Sequence, residues 1–426
     1  MKLIEQILAK NNVREALNRV VSNKGASGID GMKVEELRDY MNVNWTSIKQ
    51  SILERRYKPA PVRRVEIPKP NGGVRKLGIP TVVDRTLQQS IVQVLTPIFE
   101  AEFQENSYGF RPGRSCEQAV QKLLEYLNEG AEWIVDIDLE KFFDNVPQDK
   151  LMSYVGRVIQ DPDTESLIRK YLQSGVMENG LYEATDLGTP QGGNLSPLLS
   201  NVMLNELDKE LVRRGLRYVR YADDCVIAVG SEASAKRVMH SVTQWIERVL
   251  GLKVNATKTH VCRPSKLKYL GFGFYKSPQT KQWTARPHED SVAKFVRKLK
   301  KLCKRSWSIS MTARITMLNR VIRGWINYFA IGAMKGKMVE IDEHLRTMLR
   351  KVIWKQWKTP RKRAWGLRKL GICNDLAKLT SYRGDRYEWV VRRTCVVRAI
   401  SKDVLARRGL VSCLDYYAIR HSLKTN

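Results

Sequence analysis

The chain is predicted to fold as a mixed α/β protein with an antiparallel sheet, followed by a basic, all-helical region. Three observations carry that prediction. Leu216 to Val229 reads as two apolar runs around Tyr221-Ala222-Asp223-Asp224, a β-hairpin with aspartates near its tip. Trp133 to Asp138 alternates as a half-buried strand does, placing Asp136 and Asp138 on one face and Val135 and Ile137 toward a core. Beyond His288 the apolar residues recur at helical spacing instead.

Taken in order, residues 1–90 mix short helices with the Arg63 to Ile79 segment, whose Pro-Asn-Gly-Gly centre reads as a hairpin tip. In residues 91–285, helices alternate with the aspartate-bearing strands. Gln191 begins a Gly192-Gly193 turn whose missing side chains would let another group approach the backbone closely. Ser196-Pro197 then reads as an N-cap and first helical residue, opening a helix through Leu198, Leu199, Val202, Met203 and Leu207. Residues 286–375 carry three apolar series, represented by Phe295 and Leu299, by Leu318 and Ile326, and by Leu345 and Val352. In the first of these helices, Lys294, Arg297, Lys298, Lys300 and Lys301 form a basic face. Residues 376–426 are basic and mixed.

Adjacent carboxylates repel where water is scarce, so a compensating cation is expected at Asp223 and Asp224. Asp138 would meet them across a sheet, and three carboxylates from two segments would clamp two metals about 3.5–4 Å apart, as in nucleotidyl transfer. The bland alternatives are a solvated aspartate turn and an ordinary core strand ending in a helix cap.

Charge points the same way. The 426 residues hold 74 Lys and Arg against 44 Asp and Glu, a net +30, which calls for a polyanionic partner. Residues 286–426 hold 34 Lys and Arg against 10 Asp and Glu, so +24 of the +30 lies there. Six of the ten tryptophans also fall there (Trp307, Trp325, Trp354, Trp357, Trp365 and Trp389), and most are expected in helix cores. No apolar run approaches the roughly 20 residues of a membrane span, and no signal-peptide pattern opens the chain, so a cytoplasmic location is expected. The seven cysteines lack a CxxC pair, which argues against a zinc site or disulfide framework.

An ordered set of motifs carries a resemblance. These are Asn23 to Gly31, Ile67-Pro68-Lys69-Pro70-Asn71-Gly72-Gly73-Val74-Arg75, Ser107-Tyr108-Gly109-Phe110-Arg111-Pro112, Thr189 to Pro197, and Tyr269-Leu270-Gly271-Phe272. With the aspartate segments they span nearly the whole chain, which resembles bacterial group II intron-encoded reverse transcriptases with maturase activity. The resemblance implies a right-hand polymerase fold, α/β (α+β). An N-terminal extension and fingers would occupy 1–90, a palm with the remaining fingers elements 91–285, a helical thumb or maturase domain 286–375, and a DNA-binding-like segment 376–426.

It also implies roles. Asp138, Leu139, Asp223 and Asp224 would hold two Mg2+ ions, and Lys258 would protonate the leaving pyrophosphate. Lys69 and Arg75 would hold the triphosphate, Phe143 would be the steric gate against a 2′-hydroxyl, and Gln191, Gly192 and Tyr221 would contact substrate. Tyr269, Leu270, Gly271 and Phe272 would form the primer grip. Phe142 competes with Phe143, and Asp136 and Asp144 stay outside the metal set. Expected partners are group II intron RNA, an RNA template with a DNA primer, dNTPs and target DNA. With five histidines and no Cys/His cluster, an endonuclease domain is not expected. Two rival readings keep the same motifs: a domesticated reverse transcriptase in repair or phage defense, and an RNA-binding splicing factor with a vestigial polymerase site.

Overall fold

Alternating patterns become strands and 3.6-residue patterns become helices in the protein's structure, a computed structural model that describes residues 2–68, 72–178, 180–190, 192–384 and 386–425. By packing, the chain divides into residues 1–263 and 264–426. The sequence places the onset of helical spacing near 286, and three short strands lie between these two positions.

The first unit contains two four-stranded sheets. In one, β1 (Val62–Pro68) and β2 (Val74–Ile79) form the expected antiparallel hairpin, with Ile67 opposite Arg75. β4 (Val176–Glu178) pairs parallel to β1 and antiparallel to β5 (Leu181–Glu183). Numbered in chain order, the other sheet joins β3 (Trp133–Ile137), β6 (Arg217–Tyr221), β7 (Asp224–Val229) and β8 (His260–Cys262) in the order β6-β7-β3-β8. All its pairings are antiparallel.

Val135 and Ile137 are buried in a core shared with the Val82–Glu100 and Ser196–Arg213 helices. The second of these helices has Pro near its start as expected, but Ser196 is not its cap. The Ser196 hydroxyl instead donates to the Pro190 carbonyl at 2.6 Å, tying the preceding turn to the helix. The same carbonyl accepts the Gly193 N–H at 3.3 Å, so it closes the turn from two sides.

In the second unit, β9 (Lys268–Tyr269), β10 (Phe272–Lys276) and β11 (Trp283–Pro287) form an antiparallel sheet. The three expected helices follow as Glu289–Leu302, Met311–Phe329 and Lys335–Gln356. Phe295 stacks on Trp325 with centroids 4.4 Å apart, and Phe329 packs against both Trp325 and Phe272. The basic residues 376–426 are also helical in large part, ending in the Cys413–Thr425 helix. Its start is held by the Asp342 carboxylate, which accepts the Cys413 and Leu414 N–H groups at 2.8 and 3.0 Å.

The tryptophan expectation holds only in part. Trp354 is wholly buried and Trp325 and Trp357 half-buried, but Trp307, Trp365 and Trp389 are exposed. Each exposed ring has a cation near its face, the closest being Arg393, 3.7 Å from the Trp389 centroid. Helical spacing reports one apolar side of a helix; Trp365 and Trp389 stand off that side, and Trp307 lies in the connection before the Met311–Phe329 helix.

Candidate active site

Cross-strand register brings the aspartates together. Asp136 stands opposite Val226 and Ile137 opposite Cys225, so one residue further Asp138 reaches the β7 start, where Asp224 pairs with Tyr221. The turn between β6 and β7 is only Ala222 and Asp223, with Ala222 in the left-handed region at φ +57°. Three carboxylates therefore meet at one end of the sheet, and their electrostatics record it. Burial, then the charges of Asp223, Asp136 and Asp138, push Asp224 up to about 7, while Lys258 pulls it down. The residue is open to solvent on one side, but protein crowds the carboxylate on the other.

Asp223 is likewise raised, first by burial and also by Asp138, against the charges of Arg75 and Arg220. Asp136 is raised to about 6 by burial, with His260 opposing and Asp138 adding. It thus shares the electrostatics of the set from one turn of the pleat further down the strand.

The segment after β3 is laced to the 253–259 loop. Asn255 N donates to the Asp138 carbonyl at 2.8 Å, Leu139 forms a bridge with Val254, and the Asp138 N–H donates to Thr259 Oγ1 at 3.1 Å. That lacing delivers Lys258, whose Nζ lies 3.1 Å from the Asp138 carboxylate. Phe142 is buried, whereas Phe143 is half-buried and edge-on to it at 5.2 Å, leaving Phe143 the more accessible ring. Arg75 is exposed on β2 and near enough to lower Asp223. Tyr221 is half-buried at the end of β6. Lys69 and Gln191 lie outside the described residues.

At Gly192 the packing of the chain itself adds a reason for glycine. Its φ is +114°, and an added Cβ would lie 2.7 Å from the Gly78 carbonyl oxygen; at Gly193 it would lie 2.8 Å from Gln88 Oε1. The Gly192 hydrogen is needed for the turn to pack on the β2 backbone, whereas at Gly193 the neighbour is the end of the Gln88 side chain, which can shift. In the second unit, Tyr269 and Phe272 are buried at either side of the tight Leu270-Gly271 turn. Tyr328 Oη donates to Leu270 O and Ser291 Oγ to Gly271 O, both at 2.9 Å, so two helices fix that turn.

Sequence reasoning missed what lies under the aspartate turn. Arg220 and Asp208 form a fully buried ion pair, and Ser107 and Asn201 complete its surroundings. A signal was present. Asn201, Asn205 and Asp208 recur at i, i+4 and i+7 among the buried Leu, Val and Met residues of the helix, a polar stripe on one buried side.

Among the described residues, no three Asp, Glu, His or Cys side chains close around a single point. The donor set nevertheless fits a hard divalent cation. It is all oxygen, and burial, then the charges of neighbouring carboxylates, hold Asp223 and Asp224 above the ordinary carboxylate range, a cost that a bound cation would offset.

With that geometry, the match of residues 67–274 to the reverse transcriptase (RNA-dependent DNA polymerase) family model defines the class: an RNA-directed DNA polymerase domain. Residues 292–371 match the group II intron maturase-specific domain. The chain belongs to the group II intron reverse transcriptase/maturase family. It is 34% identical over 300 residues to protein YkfC of Escherichia coli K12, covering 61% of this chain and 79% of that protein. Over 249 residues it is 36% identical to the group II intron-encoded protein LtrA of Lactococcus lactis, covering 56% of this chain and 40% of LtrA. A putative COX1/OXI3 intron 2 protein of Saccharomyces cerevisiae is 26% identical over 397 residues, 78% of this chain and 45% of its own length. The chain thus spans less than half the length of the last two relatives. Enzymes of this class use divalent metal ions. Among the described residues, no helix is long and apolar enough to cross a membrane.

Proposed function

We propose that the protein extends a DNA primer on an RNA template with dNTPs and two Mg2+ ions, and that it grips its parent group II intron RNA to assist splicing and retrohoming into target DNA. The observation that carries the polymerase reading is the convergence of Asp138, Asp223 and Asp224 at one sheet end, with Asp224 raised to about 7 by burial first and then by the charges of its neighbours. Asp138, the Leu139 backbone, Asp223 and Asp224 would hold the ions. Bound there, Mg2+ would acidify the primer 3′-hydroxyl and neutralise the leaving pyrophosphate.

The chain's own residues do the rest. Arg75, with Lys69, orients the triphosphate through charge-assisted hydrogen bonds. Phe143 closes the space beneath the sugar C2′, while Tyr221, Gln191 and Gly192 border the nucleotide. Lys258, whose ammonium lies 3.1 Å from the Asp138 carboxylate, neutralises Asp138 before substrate arrives and gives a proton to pyrophosphate afterwards. Tyr269, Leu270, Gly271 and Phe272 present a rigid turn to the primer end. The cations of residues 286–426 hold the RNA backbone, and the maturase family match supports intron RNA as the ligand.

Primer extension on an RNA template, with Mg2+ and dNTPs, tests the proposal. Wild type should extend and Asp223→Ala should not. A wild type that binds structured RNA tightly yet never extends would favour a splicing factor with a vestigial site.

A further inference from the structure

We infer that Arg220 is a positioning residue for the catalytic turn, fixing the aspartates from beneath through a buried hub that joins three separate segments. The inference presupposes the polymerase reading above. Its basis is the completeness of the hub. Arg220 Nε donates to Asp208 Oδ1 at 2.8 Å and Nη2 to Asp208 Oδ2. Nη2 also donates to Ser107 Oγ at 2.7 Å, and Nη1 to Asn201 Oδ1 at 3.0 Å and to the Ala222 carbonyl at 2.9 Å. Each of the five N–H groups of the guanidinium thus has an acceptor. Lysine, with one nitrogen, cannot reproduce that fork. Arg220, Asp208 and Ser107 are wholly buried and Asn201 nearly so.

The hub bears on the turn rather than on the core at large. Ala222 is the left-handed residue immediately before Asp223, and its carbonyl is one of the five acceptors. From the other side, residues 106–109 run against the same turn. Arg220 N donates to Asn106 O at 2.9 Å, Tyr108 N donates to Arg220 O at 2.8 Å, and Asn201 Nδ2 donates to Gly109 O at 2.8 Å. A Cβ on Gly109 would stand 2.2 Å from Ala222 N, so only glycine lets this segment close on the turn. Arg220 therefore couples the Ser196–Arg213 helix and the 106–109 segment to the two residues that carry Asp223.

The test removes one leg at a time, because deleting either member of a buried ion pair risks unfolding. Ser107→Ala and Asn201→Ala keep the pair. Both should fold, bind primer–template as wild type does, and keep KM for dNTP within about twofold. Both should lose about tenfold or more in kcat, and bind Mn2+, read by electron paramagnetic resonance without turnover, at least several-fold more weakly. Unchanged kcat and Mn2+ affinity with only a lower Tm would overturn the inference and leave the hub as core packing. If wild type itself never extends a primer, the polymerase reading fails. Mn2+ affinity then decides alone: weaker binding in both variants sustains the positioning role, and equal binding ends it.

Discussion

The two units use charge in opposite ways. In residues 1–263 the charges that matter are few, crowded and individually placed: three carboxylates at a sheet end, one lysine against them, and one arginine saturated beneath. In the helical unit charge works by number. Lys294, Arg297, Lys298, Lys300 and Lys301 stand exposed along one helix, part of the +24 carried by residues 286–426. A displaced carboxylate alters the site, whereas a displaced surface lysine is averaged by its neighbours and by salt. Chemistry needs position, and polyanion binding needs density.

The largest expected effect breaks the first unit alone. Asp223→Ala should lower kcat by on the order of a thousandfold or more while leaving RNA affinity within about twofold. A parallel fall in RNA affinity, measured by filter binding, would merge the two roles. The mirror experiment changes Lys294, Arg297, Lys298 and Lys301 together to Gln. RNA affinity near 0.1 M salt should fall on the order of a hundredfold, and the slope of log K against log salt by about 3, with kcat at saturating substrate nearly unchanged. An unaltered slope would show that these cations touch no phosphate.

Lys258→Ala sharpens the comparison inside the first unit. A positioned proton donor and ion partner should cost about tenfold to a hundredfold in kcat, with an altered pH–rate profile. An unchanged profile would reduce Lys258 to a charge partner of Asp138.

The smallest effect is on stability against pH. Asp224, up at about 7, and Asp136, up at about 6, keep protons in the folded chain that the unfolded chain has already released. Between the ordinary carboxylate range and about pH 7 the folded state therefore binds more protons, so stability falls as pH rises. In EDTA, Tm should drop by a few degrees from pH 5 to 7.5. Mg2+ should reverse the drop and Asp224→Asn should flatten it, and a Tm rising over that range would contradict the assigned shifts.

Much of this was legible in the sequence because it is local. A hairpin with Asp223 and Asp224 at its tip, a strand that turns Asp136 and Asp138 to one face, and three helices after His288 all follow from period and turn chemistry. So does the charge asymmetry, which is composition alone. The strand reading also carried Asp138 to the hairpin, since a pleat has only two faces.

Tertiary structure decided what depends on non-neighbours. Sequence showed Ser196 ahead of a helix, but only packing showed Pro190 O within its reach. Glycine at 192 was visible, but its reason, the carbonyl of Gly78, lies more than a hundred residues away. Arg220 stands two residues before Ala222 as part of the hairpin's first run, and nothing local marks its partners. Its partners Asp208, Asn201 and Ser107 are brought around it by two segments whose order along the chain encodes none of those contacts. Periodicity is a property of one segment and survives in one dimension, whereas a buried polar contact is a property of two or more and exists only once the chain has folded.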